Sequence, residues 1–109
     1  MTNDDVIDAL QAQKQQLEAQ LPGLLARSQN DTITAGLKLA YSQAVQQWND
    51  RVNKTFRTDD PMLGKLVAQL NAVQVEIAAM VAQMEDLESI FNKIASGVKI
   101  GAAIVAMVK

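Results

Sequence analysis

From Leu63 to Val108 the large apolar residues fall alternately three and four positions apart: Leu63, Leu66, Leu70, Val73, Ile77, Met80, Met84, Leu87, Phe91, Ile94, Val98, then the small Gly101, Val105 and Val108. A β-strand would scatter these positions over both of its faces, whereas a helix gathers them into one stripe. Sustained over this length, the pattern is a heptad seam of the kind that packs helix against helix. It begins just after Asp60-Pro61, where an aspartate can cap the free amides and proline at the first helical position gives up an amide that had no partner.

The preceding sequence is also helical in pattern. Thr2 or Asn3 opens a first helix over residues 3–21, followed closely by Asp4, Asp5 and Asp8, which suit the positive end of a helix dipole. Its stripe is Val6, Leu10, Leu17 and Leu21, with Gln13 at the intervening position, and Pro22-Gly23 is expected to end it. Gln11, Gln13, Gln15, Gln16 and Gln20 form a glutamine-rich stretch that reads as a solvated helix face, since glutamine is a fair helix former. Asn30 or Asp31 starts a second helix over residues 31–57, with Ile33, Leu37, Ala40 or Tyr41, Ala44 or Val45, Trp48, Val52 and Phe56 along one side. Its three aromatics are expected to fill the widest part of a core.

These elements predict an all-α fold in one helical domain over residues 1–109. The expected form is an antiparallel three-helix bundle, or an extended helical hairpin, with a long third helix over 61–96. That helix either continues or breaks at Ser96-Gly97 before a short fourth helix at 98–108. An unbroken helix from Pro61 to Lys109 would be about 70 Å long, against roughly 40 Å for the second. Its last third would then have nothing in the chain to cover it.

That mismatch carries the functional reading. The seam residues Ile90, Phe91, Ile94, Val98, Ile104, Val105 and Val108 are expected to bind a protein partner or another copy of the chain, with fold-back as the close alternative. A membrane is the third option, because Gly97-xxx-Gly101 is a small-xxx-small pattern of the kind that brings membrane helices together. Against it, residues 94–108 are fewer than the about 20 needed to span, and they contain Lys99. A detached apolar segment after long amphipathic helices resembles subunits of α-helical pore-forming toxins, and that resemblance implies membrane activity through 94–108.

Catalysis is not expected. The 109 residues include no histidine and no cysteine, which removes the common general base, the Cys-His and Ser-His pairs and the Glu-x-x-His ligand sets of di-iron bundles. Glu85, Asp86 and Glu88 splay around a helix rather than converging, so no metal is assigned, and no cofactor or small-molecule substrate is inferred. Arg51, Lys54 and Arg57 make a basic cluster, but Asp50, Asp59 and Asp60 stand beside it, which speaks against a nucleic-acid partner. The acidic N-terminus lacks the features of a secretory signal, giving a cytoplasmic location by default.

Overall fold

The structure, a computed structural model, describes residues 1–51 and 54–109; Val52, placed on the second apolar stripe above, lies outside the described residues. The described residues form an all-α fold of four helices: α1 (Asn3–Arg27), α2 (Asp31–Asp50), α3 (Pro61–Ala82) and α4 (Leu87–Val105). α1 and α2 form one antiparallel hairpin and α3 and α4 the other. The two hairpins pack side by side, α1 against α3 and α2 against α4, while α2 and α3 stand diagonally and do not approach each other. Asn3 at the start of α1 bonds the Phe56 amide just before α3, and Arg27 at its end bonds the Glu85 carbonyl just after α3. α1 and α3 therefore run parallel, and the body measures 43 × 23 × 18 Å.

Helix α1 begins with a capping box, in which Thr2 Oγ1 accepts from the Asp5 amide and the Asp5 carboxylate accepts from the Thr2 amide. It does not stop at Pro22 but runs through to Arg27. Leu24, two residues beyond the proline, is buried to 2 % exposure and continues the line of Leu17. An interior proline costs a helix about 3 kcal/mol. Burying a leucine returns about 1.5–3 kcal/mol, and Leu21 and Leu25 pack beside Leu24. Tertiary packing therefore overrides the local stop signal.

Helix α2 is shorter than its apolar spacing suggests, ending at Asp50. Phe56 still reaches the core, fully buried, but from extended backbone. There the Arg57 amide donates to the Met107 carbonyl over 3.0 Å and the Lys109 amide to the Thr55 carbonyl over 2.8 Å. These two short segments clasp one end of the bundle.

The expected continuous helix over 61–96 is two helices, and the break falls at Gln83–Asp86, not at Ser96-Gly97. Met84 adopts φ 52°, in the left-handed region. The Met84 amide bonds the Val81 carbonyl and the Glu85 amide bonds the Met80 carbonyl, at 3.1 and 3.0 Å. That is the Schellman arrangement that closes a helix C-terminus. Asp86 then caps α4, accepting from the Ser89 amide at 3.1 Å. The chain turns back here, so α2 lies along the seam of α4 and no long helix projects.

Candidate docking site

The core has two apolar clusters. One holds Leu17, Leu24, Leu37, Val73, Ile77, Ile90 and Ile94 among others, and the second holds Val6, Leu10, Phe56, Leu63, Leu70 and Ile104. Set into the core are two buried glutamines, Gln13 of α1 and Gln47 of α2, at 2 % and 7 % exposure. Gln13 Nε2 donates to Gln47 Oε1 over 2.9 Å, and Gln47 Nε2 donates to the Val98 carbonyl of α4 over 2.9 Å. Gln13 Oε1 is buried without a protein partner.

The glycines of α4 make this layer fit. A Cβ on Gly101 would collide with Gln47 Oε1, and one on Gly97 would sit 3.4 Å from Gln13 Oε1 and 3.2 Å from Val73 Cγ1. The Gly97-xxx-Gly101 pattern thus admits two carboxamides into a protein core, and the helix passes through it unbroken. The glutamine-rich stretch of α1 is likewise only partly a solvated face. Gln16 is half-buried and donates to the Gln74 carbonyl of α3 over 2.8 Å, and Gln20 is half-buried, while Gln15 is exposed.

Above Gln47, α2 and α4 leave a groove of about 520 Å³ lined by Gly36, Leu39, Phe91, Val98 and Val105, with Asp50 and Lys99 contributing charge. Leu39 is 58 % exposed. The Phe91 ring lies over Gly36, where a Cβ would come within 2.5 Å of the ring, so the glycine sets how deeply the aromatic seats. Such a groove, apolar with a few polar groups, suits an apolar ligand surface.

The seven seam residues divide between core and groove. Ile90, Ile94 and Ile104 are core residues of this chain, so they present no free surface; the fold-back at Met84 brings α1 and α2 over them. Val98 is a buried core residue whose edge contributes to the groove floor, Phe91 and Val105 are half-buried groove residues, and Val108 is half-buried beside Phe56 in the clasp. Leu39, which has the greatest exposure among the apolar groove residues named here, had no distinguishing mark in the sequence, since it lies off the α2 stripe as an isolated leucine.

Glu18 accepts from Lys14 Nζ at 2.9 Å and from the Tyr41 hydroxyl at 3.0 Å. The Lys14 bond, then the Tyr41 bond, hold its carboxyl below the usual carboxylate range, and the same Glu18 bond pushes the Tyr41 hydroxyl up. Glu18 is exposed, Lys14 and Tyr41 are half-buried, and together they join α1 to α2. Arg51 does not project into a basic patch: it stacks 3.3 Å over the centre of the Trp48 ring and donates to the Trp48 carbonyl, while Arg57 Nε donates to the Val108 carbonyl. No group of three or more metal-ligating side chains occurs among the described residues. Among those residues one helix, α3, is long and apolar enough to cross a membrane, with 22 % of its most apolar window buried. None of the known protein families, curated proteins or solved structures compared with this chain matches it.

Proposed function

We propose that this protein is a non-catalytic assembly or adaptor module that holds a helix of a protein partner in the groove between α2 and α4. The single observation behind this reading is the open apolar groove itself, with Leu39 exposed at its edge and Phe91 and Val105 lining it. Two neighbouring helices with an apolar channel between them match the apolar ridge of a third helix, read as anchors at i, i+3 or i+4 and i+7. The place of contact is therefore α2 together with α4, rather than the α4 seam alone.

A library of displayed helical peptides selected against the full chain tests it. Enriched sequences should carry an apolar ridge, and Leu39→Glu or Val105→Glu should weaken their binding about tenfold or more, as expected when a charge enters an apolar contact. Absence of enrichment, or binding indifferent to both changes, overturns the proposal.

The second reading is a membrane-active helical protein, now favoured by α3 rather than residues 94–108, because α3 is apolar over a spanning length and largely unburied. Flotation with liposomes of neutral and anionic lipid separates the two: a chain that stays at the bottom with every lipid removes this reading.

A further inference from the structure

The α2/α4 groove is not uniform along its length. The Phe91 ring of α4 lies over Gly36 of α2, and further along both helices the Gln47 side-chain amide meets the Val98 carbonyl, so α2 and α4 run parallel. One end of the groove is therefore lined by Gly36, Leu39, Ala40 and Phe91, all without charge. The other end carries its two ionised side chains, Asp50 on the α2 wall and Lys99 on the α4 wall. Lys99 stands eight residues beyond Phe91 on the same helix, about 12 Å along the axis. Lys99 is exposed and Asp50 half-buried, and among the described residues neither forms a salt bridge, whereas Lys14 and Lys93 are paired with Glu18 and Glu76. Ala95 and Ala102, one turn before and one turn after Lys99, line the groove with it. Side chains this short leave its ammonium open to whatever lies in the groove.

We propose that the partner helix carries its chemistry in a defined order along the groove. A large apolar side chain seats against Leu39 and Phe91; about seven or eight residues along, a glutamate or aspartate meets Lys99; and roughly one turn further, a lysine or arginine meets Asp50. The inference rests on the groove reading above and adds the chemistry of the partner to it.

The apolar wall alone does not fix a register. Ala95, Val98, Ala102 and Val105 follow one another at steps of three and four, so an apolar ridge could slide by one turn, about 5.4 Å, and find similar contacts. The two charges remove that freedom. A helix displaced by a turn leaves Lys99 and Asp50 facing apolar side chains as water is withdrawn from them, and a helix with the opposite order of charges meets like charge at both. Specificity of this kind comes from penalising the wrong partner as much as from favouring the right one. The same two ions argue against lipid as the occupant, since hydrocarbon would have to accept both of them.

The test is a displayed library of helices about seven turns long, each with a central leucine anchor in a ridge of small apolar residues and with Glu, Lys or Gln randomised at the flanking positions. It is selected in parallel against the full chain and against its Lys99→Glu variant. The full chain should enrich Glu over Lys by about threefold or more at seven or eight residues to one side of the leucine, and the preference should fade in high salt. Lys99→Glu should reverse that preference while keeping the leucine. Lys99 is exposed, so unchanged helical circular dichroism confirms that the variant folds. Peptides that bind and are lost with Leu39→Glu, yet show no charge preference, overturn the proposal and leave the groove reading intact; absence of enrichment overturns both. The chain has no cysteine, so a dimer that cross-links through Leu39→Cys would place a second copy in the groove and overturn the proposal, as would liposome flotation that Leu39→Glu abolishes.

Discussion

Gln13 of α1 donates its side-chain amide to Gln47 Oε1 of α2 inside a core otherwise built from apolar side chains, and Gln47 passes the contact on to the Val98 carbonyl of α4. Three of the four helices are thus joined at one level by two hydrogen bonds. In a low-dielectric interior such bonds are directional, and stranding one partner is costly. Gln47→Leu leaves Gln13 with no partner at either end of its carboxamide and is expected to destabilise the fold by about 2–3 kcal/mol. Gln13→Leu combined with it should cost less than the sum of the two single changes by about 1 kcal/mol or more, measured as a double-mutant cycle in urea.

The glycines predict opposite signs for one substitution. Gly101→Ala drives a methyl into the Gln47 carboxamide and should lower stability by about 1–3 kcal/mol. Gly23→Ala, in the interior of α1 with open space where the methyl goes, should raise it by about 0.5–1 kcal/mol. Thermal melts of the two variants beside the parent check both signs.

Met84 holds a left-handed backbone that side chains disfavour by about 1–2 kcal/mol per residue. Its own side chain is exposed, so little packing is lost on removing it. Met84→Gly is expected to stabilise the α3–α4 turn by about 1 kcal/mol. A lower urea midpoint for Met84→Gly would contradict this.

Glu18 and Tyr41 make stability fall at both ends of the pH scale. The folded Glu18 titrates lower than it would unfolded, so its contribution is present above the unfolded value and is lost as acid protonates the folded carboxylate. Tyr41 is shifted up, so its contribution is present below the unfolded phenol value and is lost as base ionises the folded hydroxyl. Glu18→Gln should therefore flatten part of the acid limb, and Tyr41→Phe part of the alkaline limb. Both groups face solvent, so the effect should shrink in high salt. Urea titrations across pH in the two variants would show whether each limb responds to its own residue.

Much of the architecture is legible in periodicity. The stripes of α3 and α4, the Asp60-Pro61 start and the all-α character come from steps of three and four that the packed structure retains, whereas the buried line of α2 is Leu37, Ala40, Ala44 and Gln47, with Tyr41 and Trp48 half-buried beside it. Boundaries were less legible for reasons particular to each. At Pro22 the burial of Leu24 outweighs a strong local stop. At Met84 the reverse holds: a helix ends on a left-handed residue that is not glycine, inside an unbroken heptad, and only Asp86 with Ser89 three residues later hints at a new start. Phe56 kept the spacing of a helical core residue while entering the core from extended backbone, because pairing with residues 107–109 satisfies its segment elsewhere.

The candidate site was half legible. Phe91, Val98 and Val105 stand out as apolar seam positions, but whether such a position meets the core or a groove depends on the side of α4 to which α2 is brought, and that follows from a fold-back at Met84, well before the Ser96-Gly97 position that the glycines suggest. Leu39 is recognisable only by its exposure.

The glutamine layer also constrains how this sequence can drift. Positions 13, 47, 97 and 101 form one composite character: a side chain larger than hydrogen at 101 requires something shorter at 47, and an aliphatic residue at 47 strands the carboxamide at 13. Each single step away passes through a less stable protein, so the neutral paths open to these four codons are narrow. Descendants of this chain should keep the quartet together or exchange it together, which makes the pattern Gln, Gln, Gly-xxx-Gly at these spacings a more durable mark of common ancestry than any stretch of its surface.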